Sequence, residues 1–323
     1  MNEILITGAN GCIGSALVKN LMGVGYKITA LALDSFVVNH IDNIKGIKIV
    51  YGDICDIEKM EEILSLNRFH AIIHLAAIVH EHDASENDFE RVNCKATIML
   101  FDLAKKYEVQ QFIFVSTVAV YGEETARTLD EESPCNPQTP YAVSKLKAEE
   151  HIRKICNQTI KYTIIRPATV YGKYDKGNIA RLFNIAKKRV VPLIGDGNNL
   201  KSFVYVENLV EGIVSTVLNT AAYNQVFILS DKESYSVNRI VREIEKVIGK
   251  RIIVIHLPLK IIIFFLRIIN YFSIVLFKKE LFKTSSIKGL VTNNTFDISK
   301  AKKILSYIPR YTLNAGLKKT YGA

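Results

Sequence analysis

The sequence has few of the residues that build disulfide or metal frameworks. Its five cysteines are scattered and odd in number, and no two of them form a Cys-x-x-Cys pair. The seven histidines form no ligand set, and His80-x-His82 is the nearest approach to one. We therefore expect reduced thiols in a cytosolic protein, with no structural disulfide and no metal site.

Repeats, low-complexity linkers and a targeting segment are also missing. The apolar residues near the N-terminus already form a predicted strand, so we expect no signal peptide. With 49% hydrophobic and 23% charged residues, a chain of 323 residues can bury a sizeable core. These features are typical of a globular protein with one large unit or two lobes.

Strand-like runs alternate with helical patterns up to about residue 167. The runs are 3–7, 28–33, 47–51, 71–75, 112–115 and 163–166. Such alternation predicts an α/β fold with a doubly wound parallel sheet. We place a first domain at 1–167. A smaller mixed α/β lobe at 168–323 would be interleaved with it.

A glycine-rich turn follows the first strand. Gly8-Ala9-Asn10-Gly11-Cys12-Ile13-Gly14 lies between strand 3–7 and the helical stretch 15–22, which is the context of a dinucleotide-binding fingerprint. Gly8 would allow the tight turn, Gly11 the close approach of a pyrophosphate and Gly14 close helix packing. The pyrophosphate would lie at the helix N-terminus, where free N–H groups favour anions.

A second pattern consists of Thr117, Tyr141 and Lys145. Lys145 is four residues after Tyr141 and would lie on the same helix face. Its positive charge would favour the phenolate and lower the tyrosine pKa from about 10 towards neutrality. A nearby Thr hydroxyl can hold a substrate alcohol, so the set is suited to removing a proton while a hydride leaves the same carbon.

Together these motifs resemble the extended short-chain dehydrogenase/reductases, the nucleotide-sugar epimerase and dehydratase family. Further matches occur in order along most of the chain. They are Gly52-Asp53-Ile54, His74-Leu75-Ala76-Ala77, Val92-Asn93, Ile165-Arg166-Pro167, Val170-Tyr171-Gly172, 203–208 and Phe296-Asp297 with the residues up to Pro309. The resemblance implies a Rossmann-type NAD-binding domain followed by a substrate-binding lobe.

The resemblance also implies which residues contact the cofactor. These are Gly8, Asn10, Gly11, Cys12, Ile13, Gly14, Asp34, Asp53, Ile54, Leu75, Ala76, Ala77, Asn93, Tyr141, Lys145 and Pro167. The family's acidic residue for the ribose of NAD falls on Ala32 here, and Asp34 stands two residues later. No Lys or Arg occurs between Leu31 and Asn39, which disfavours the NADP phosphate. We expect NAD, with NADP left open.

The residues after Thr117 indicate the reaction. The family's 4,6-dehydratases carry Asp-Glu at this point, whereas this chain has Val118-Ala119, and neither residue can transfer a proton. The segment 116–122 is similar to that of 4-epimerases and 4-keto-sugar reductases. In the epimerase mechanism that the resemblance implies, Tyr141 deprotonates the sugar 4-hydroxyl, a 4-keto sugar forms and rotates, and hydride returns to its opposite face. A reductase would use the same residues for one hydride transfer and would then release oxidised cofactor.

Substrate contacts implied by the resemblance are Thr117, Thr169, Asn178 and Lys201. Asn178 matches an asparagine near the sugar diphosphate. Lys201 occupies the place of an arginine in the epimerases, and Ser202 that of an aspartate. Lysine supplies charge but not the bidentate geometry of arginine. The alternative interpretation is that Lys201 is a solvated surface residue with no role in substrate binding.

The C-terminal part is strongly basic. From Lys250 to Ala323 there are 14 Lys and Arg but only two acids, a net charge of +12, whereas residues 1–249 carry about −2. Within it, 261–277 has Arg267 as its only charge, and one narrow stripe of the predicted helix contains Lys260, Arg267, Asn270, Tyr271 and Lys278. A length of 17 residues is at the lower limit for a bilayer span, so a basic-anchored helix at 259–278 lying in the membrane plane fits better. The alternative is a buried helix of the substrate lobe or a dimer contact.

The sequence thus supports an NAD-dependent 4-epimerase of a diphosphate-linked hexose or N-acetylhexosamine, such as UDP-GlcNAc or UDP-Glc, in surface polysaccharide biosynthesis. One alternative has the same chemistry on a polyprenyl-diphosphate-linked GlcNAc at the membrane. Others are a 4-keto-sugar reductase and a non-catalytic NAD-binding regulatory protein. We expect a cytoplasmic homodimer, with peripheral contact at the inner face of the plasma membrane as the alternative. Nucleic-acid binding is not expected, since no aromatic-rich recognition motif accompanies the charge.

Overall fold

The computed structural model describes residues 2–33, 41–42, 44–79, 84–122, 127–155, 160–175, 177–277 and 289–322, apart from the side chains at 272 and 274–277. The predicted ribose contact Asp34 and the pair His80-x-His82 lie outside the described residues.

Six strands alternate with helices up to residue 167, which confirms the predicted fold class. The strands are β1 (Glu3–Thr7), β2 (Lys27–Ala32), β3 (Lys48–Tyr51), β4 (Ala71–His74), β5 (Gln111–Val115) and β6 (Lys161–Pro167). The helices are α1 (Cys12–Gly23), α2 (Ile57–Ser65), α3 (Glu86–Phe89), α4 (Ala96–Lys106) and α5 (Pro140–Ile155). A π-helical stretch, Glu90–Lys95, joins α3 to α4.

The elements after residue 167 include those of the smaller lobe. The strands in this part are β7 (Thr169–Tyr171), β8 (Val190–Ile194), β9 (Leu200–Lys201), β10 (Phe203–Tyr205), β11 (Gln225–Leu229), β12 (Tyr235–Ser236) and β13 (Ile253–Leu257). The helices are α6 (Asn178–Ala186), α7 (Val206–Thr216), α8 (Val237–Ile248), α9 (Leu259–Phe277), α10 (Ser299–Leu305) and α11 (Leu313–Tyr321). Short 3-10 turns occur at Val118–Tyr121 and Thr220–Ala222.

One parallel sheet of seven strands organises the molecule. Its order is β11-β6-β5-β4-β1-β2-β3. The strand sequence reverses between β1 and β4, so the loops after those two strands diverge at the carboxyl edge of the sheet. Ligands of open α/β sheets bind in the crevice that opens at this point.

Buried apolar side chains cover both faces of the sheet, which explains why its inner strands are almost wholly apolar. One core cluster contains Leu17 and Leu21 of α1 with Leu209 of α7. The other packs Met60 of α2 and Phe101 of α4 against the opposite face. The first cluster continues into the smaller lobe through residues such as Tyr171, so one apolar core is shared by the two parts of the chain.

Helix α9 differs from the others because its large apolar side chains face outward. Phe264, Phe265 and Ile261 are 61%, 56% and 51% exposed. The alternative of a helix buried in the substrate lobe is therefore wrong. Among the described residues, no helix has both the length and the hydropathy that a bilayer span requires.

Candidate active site

The glycine turn between β1 and α1 is compact for a steric reason. Gly8 has a φ of 68°, and a Cβ there would lie 2.7 Å from the backbone nitrogen of Ala76. A Cβ on Gly14 would lie 2.3 Å from the Gly8 carbonyl oxygen, which accepts a 3.0 Å hydrogen bond from the Gly11 nitrogen. Side chains at Gly8 and Gly14 would thus force the turn, the helix and β4 apart.

The N-terminus of α1 is open to the space above the sheet. Gly11 is its N-cap in an extended conformation, no side chain among the described residues caps it, and its first turn has no acidic residue. The first N–H groups of a helix have no intrahelical partner and carry a partial positive charge. Gly11, Cys12, Ile13 and Gly14 all line the adjoining cavity, so this end is suited to an anion.

Asn93 fixes the segment that leaves β4. Its side-chain Oδ1 accepts a 2.8 Å hydrogen bond from the Ile78 nitrogen, and its Nδ2 donates to the Ile78 carbonyl at 2.9 Å. Asn93 is fully buried on the π-helical stretch, a feature that often occurs at functional sites. Both polar atoms of its side-chain amide bond to Ile78. Asn93 therefore affects the site by holding the segment 75–79, and not through a contact of its own.

A chain of hydrogen bonds through His74 holds the same segment. Thr97 Oγ1 donates to the Asn93 carbonyl, so it accepts from His74 Nε2 at 2.8 Å. Thr7 Oγ1 then donates to His74 Nδ1 at 2.7 Å, while it accepts from the Ala76 nitrogen at 3.3 Å. Burial lowers the pKa of His74 to about 3, so the ring is neutral and tautomerically fixed.

Thr117, Tyr141 and Lys145 come together at the carboxyl end of β5. Thr117 caps the 3-10 turn, where its Oγ1 accepts from the Ala119 nitrogen at 3.1 Å. Tyr141 and Lys145 lie one turn apart on α5, and the Thr117 side chain is close enough to that of Tyr141 to lower its pKa. Lys145 Nζ lies 4.3 Å from the centroid of the Phe114 ring, beneath this pair.

The pKa of Tyr141 departs from the sequence-based expectation. Burial raises it to about 12, and the nearby Thr117 side chain only partly opposes this rise. Burial also lowers the pKa of Lys145 to about 7, against the opposing charge of Glu149. The expected shift of the tyrosine towards neutrality is therefore wrong for the protein alone, because loss of water around the phenol disfavours its charged form.

A buried ion pair lies behind Lys145. Glu149 follows it by one turn and binds Arg166 of β6, with an Nη2–Oε2 distance of 2.5 Å. Ser116, next to Thr117, donates to the same carboxylate, and Arg166 donates to the Tyr121 hydroxyl at 2.6 Å. Both charged side chains are at most 2% exposed. The pair therefore ties α5, β6 and the strand end that carries Thr117 into one unit.

A cavity of about 650 Å³ connects these parts. Most of the predicted site residues line it. They are Gly8, Gly11, Cys12, Ile13, Gly14, Leu75, Ala77, Thr117, Tyr141, Lys145, Pro167, Thr169 and Asn178. The structure thus brings the glycine turn and the Tyr141 pair to one crevice.

Other predicted residues do not line this cavity. Ala76, Asn93 and Asn10 lie beside it. Asp53 is exposed after β3, where its carboxylate accepts from the Cys55 nitrogen at 2.9 Å, and Ile54 is buried in the second core cluster.

Lys201 is the clearest difference from the expected substrate contacts. It lies outside the cavity lining, and its Nζ donates to the Gly289 carbonyl at 2.6 Å. Among the described lining residues, Lys145 is the only basic side chain.

Some lining residues were missed by sequence reasoning. Ser116, Gln138, Tyr174, Asp175 and Asn294 all face the cavity. Asn294 bridges to Lys201, nearly a hundred residues away in sequence. The only sequence evidence near Asn294 was the match at Phe296-Asp297. That match did not show which residue of this segment lines the crevice.

Comparison with known proteins places these observations in a family. The model of the NAD dependent epimerase/dehydratase family matches residues 4–228. An N-acetyl-alpha-D-glucosaminyl-diphospho-ditrans,octacis-undecaprenol 4-epimerase of Escherichia coli O157:H7 is 30% identical over 325 residues, which cover 99% of this chain and 95% of that protein. A UDP-glucose 4-epimerase of Vibrio cholerae is 30% identical over 98% of this chain and 94% of its own length.

Two solved structures resemble this one closely. A UDP-glucose 4-epimerase of Thermotoga maritima with UDP-glucose superposes with a TM-score of 0.79 at 26% identity, over 98% of this chain and 97% of that one. A UDP-glucuronic acid 4-epimerase of Bacillus cereus, in complex with UDP-glucuronic acid and NAD, gives 0.78 at 26% identity over 99% and 98%.

Proposed function

This chain belongs to the NAD-dependent epimerase/dehydratase family, and on that premise we propose that it is a 4-epimerase of a diphosphate-linked hexose or N-acetylhexosamine. The observation that carries the proposal is that Thr117, Tyr141 and Lys145 line one cavity together with the glycine turn. Named 4-epimerases among its relatives support the same reaction.

The cofactor is NAD, and the glycine turn fits it. Gly11 leaves space at the open N-terminus of α1, which would hold the pyrophosphate. Leu75 and Ala77 would pass along the cofactor, and Tyr141 and Lys145 would face its nicotinamide half. When bound, NAD would accept a hydride from the sugar and return it.

Tyr141 is the base in this proposal. Thr117 holds the sugar 4-hydroxyl, and Tyr141 removes its proton as the carbon loses hydride, which leaves a 4-keto sugar. The ammonium group of Lys145 stabilises the phenolate, because a nearby positive charge favours the charged form of tyrosine. Rotation of the keto sugar about its diphosphate link presents the other face, and Tyr141 returns the proton.

Val118 and Ala119 favour epimerisation over dehydration. Both line the cavity directly after Thr117, and neither carries a group that can transfer a proton. Loss of water from the sugar needs an additional acid and base. The crevice wall at this point is apolar. Tyr141 is then the proposed proton-transfer group, and one such group is enough to interconvert an alcohol and a ketone at one carbon.

The diphosphate of the substrate would be held at a second helix end. Helix α6 begins at Asn178 after Gly177, has no acidic residue in its first turn and opens on the same cavity. In a lining with so little basic side-chain charge, N–H groups of a helix end supply the attraction for an anion. We assign Asn178 and Thr169 to substrate binding, and Lys201 to holding the segment at Gly289.

The carrier attached to that diphosphate has two candidates. A UDP-sugar is the substrate class named for the Vibrio cholerae relative. A polyprenyl-diphosphate N-acetylhexosamine corresponds to the Escherichia coli relative, and the basic, apolar C-terminal region supports it. We further propose a homodimer and a cytoplasmic location, with peripheral membrane contact through 259–278.

The test is product analysis with no cofactor added. The purified protein is incubated separately with UDP-GlcNAc, UDP-Glc and polyprenyl-diphosphate GlcNAc, and the sugars are identified by NMR. Formation of the 4-epimer without reductant supports the proposal, and the accepted substrate identifies the carrier. A requirement for reduced cofactor would instead indicate a 4-keto-sugar reductase, and NAD binding without any turnover would indicate a regulatory protein.

A further inference from the structure

Helix α9 combines buried polar side chains with exposed apolar ones. Asn270 and Ser273 are buried, whereas Phe264 and Phe265 are more than half exposed. A surface helix normally turns its polar side outward and its apolar stripe to the core. The outward side of α9 is therefore built for a medium less polar than water.

The exposed apolar residues of α9 form one continuous face. At 3.6 residues per turn, Ile261, Phe264, Phe265 and Ile268 fall within about 100° of one another on the helix circumference. All four are exposed, and Asn270 and Ser273 lie on the opposite side. We call these four residues the outer face of α9. Exposed patches of this kind mark sites of interaction.

Charge and an aromatic hydroxyl border this face on one edge. Lys260, Arg267 and Tyr271 fall within about 40° of one another, beside Phe264. All three are exposed. Long basic side chains and tyrosine can keep a polar end in water while their apolar parts contact a nonpolar layer. This arrangement is that of a helix lying along an interface.

The small sheet that precedes α9 repeats the pattern. Ile253 and Ile255 alternate along β13, and they pair with Val190 and Pro192 of β8. All four are exposed, while Val191 and Leu193 on the other side of β8 are buried. Since β13 leads directly into α9, a second apolar surface adjoins the outer face in sequence.

We propose that the outer face of α9 docks in the plane of an anionic lipid bilayer. The basic C-terminal region, with its net charge of +12, complements the negative surface of such a membrane. A second copy of the chain fits less well, because a two-fold contact would bring the same basic regions together. Arg267 near the middle of the helix favours a position in the headgroup layer over one across the bilayer.

Docking at this face would bring the protein to the membrane in which a lipid-linked substrate is anchored. The residues beyond α9 return at Gly289, whose carbonyl accepts from Lys201, and continue to Asn294 in the cavity lining. This consequence rests on the proposed function, since it concerns a lipid-linked substrate. The docking itself depends only on α9.

The experiment is flotation of the full-length protein with vesicles in the absence of substrate. Phosphatidylcholine vesicles with added phosphatidylglycerol are compared with phosphatidylcholine alone. We expect wild type to float with the anionic vesicles at least about tenfold better than with neutral ones, and less so as salt rises. Phe264→Ser/Phe265→Ser should lose at least about tenfold of this binding.

The matched control is Val24→Ser/Leu66→Ser, which removes two equally exposed apolar side chains far from α9 in sequence. It should float like wild type, and both double variants should retain turnover on any soluble sugar diphosphate that wild type accepts. Wild-type protein that stays with neither vesicle would overturn the proposal. So would resistance of the bound protein to alkaline carbonate, which would mean insertion across the bilayer. Loss of a dimer in Phe264→Ser/Phe265→Ser without vesicle binding by wild type would assign the face to a second copy.

Discussion

At the scale of single residues, burial determines the chemistry of the site. It raises the pKa of Tyr141 to about 12 and lowers that of Lys145 to about 7, so the proposed base is protonated in the protein alone. A positive charge near Tyr141 is what would release its proton. The residues therefore form a base that becomes effective only when the charge around it increases.

Tyr141→Phe removes the proposed base while keeping the ring. We expect turnover to fall at least about a hundredfold, because a positioned proton-transfer group contributes this much or more. NAD affinity, followed by fluorescence titration, should change little. Tyr223→Phe, whose hydroxyl accepts from Gln110 at 3.0 Å, is the control and should turn over normally. Near-normal turnover in Tyr141→Phe would remove Tyr141 from the mechanism.

Glu149→Gln tests whether the lysine charge is used. The Glu149 charge raises the pKa of Lys145, so its removal should lower that pKa further. Because the ammonium form is lost as pH rises through its pKa, the alkaline decline of kcat/KM should begin at lower pH in the variant. The exposed neighbour Glu150, changed to Gln, is the matched control and should leave the profile in place.

Glu149→Gln also leaves Arg166 as a buried charge without its carboxylate. Removing one partner of a buried pair costs about 3–5 kcal/mol, so the variant should unfold at lower urea concentration. Glu149→Gln/Arg166→Met removes both charges and should recover part of this loss while keeping the shifted pH profile. A profile that returns to that of wild type in the double variant would mean that Arg166, not Glu149, acts on Lys145.

At the scale of elements, the glycine turn shows how a missing side chain shapes a site. Gly11→Val should fold, because its φ of −75° suits any residue and its Cβ, 3.3 Å from the Gly8 oxygen, would need a shift of only a few tenths of an ångström. The valine would occupy the pyrophosphate space, so NAD affinity should fall at least about tenfold. Gly23→Val, in open space at the end of α1, is the control. Equal NAD affinity in the two variants would place the cofactor elsewhere.

The segment after β4 depends on one side chain from the π-helical stretch. Asn93→Ala would leave the Ile78 N–H and carbonyl without their partner, at a cost of about 2–3 kcal/mol in urea unfolding. NAD affinity should weaken as well, because Leu75 and Ala77 line the crevice on this segment. Asn67→Ala, which breaks a bond to the Ile63 carbonyl in α2, should leave NAD affinity unchanged. A loss of stability alone would limit Asn93 to the fold.

Elements with strong local signals could be predicted from the sequence. The six strands up to residue 167 and the helix after the glycine turn were recognised because apolar runs and glycines act locally. Tyr141 and Lys145 were placed on one helix face by spacing alone. The pKa of Tyr141 was not predictable, because it depends on burial by residues distant in sequence.

At the scale of the whole molecule, the features that sequence reasoning missed are long-range. Strand β11 joins the edge of the sheet beside β6, although 57 residues separate the end of β6 from its start. Asn294 reaches the crevice through its pairing with β9. Lys201 fell where a substrate contact was expected, yet its Nζ donates to the carbonyl of Gly289, which is 88 residues away in sequence. Which side of α9 faces outward could likewise be learned only from the fold, since the sequence was also compatible with a buried helix.

The central claim is that hydride leaves and returns to the same sugar carbon while Tyr141 moves the proton. The most direct measurement is the reaction of the accepted sugar diphosphate in D2O, with no cofactor added and the C4 position of the products followed by NMR and mass spectrometry. We predict the 4-epimer with its original hydrogen at C4, because a hydride held on the enzyme does not exchange with solvent. Deuterium at C4, or a product that forms only when reduced cofactor is supplied, would contradict the claim.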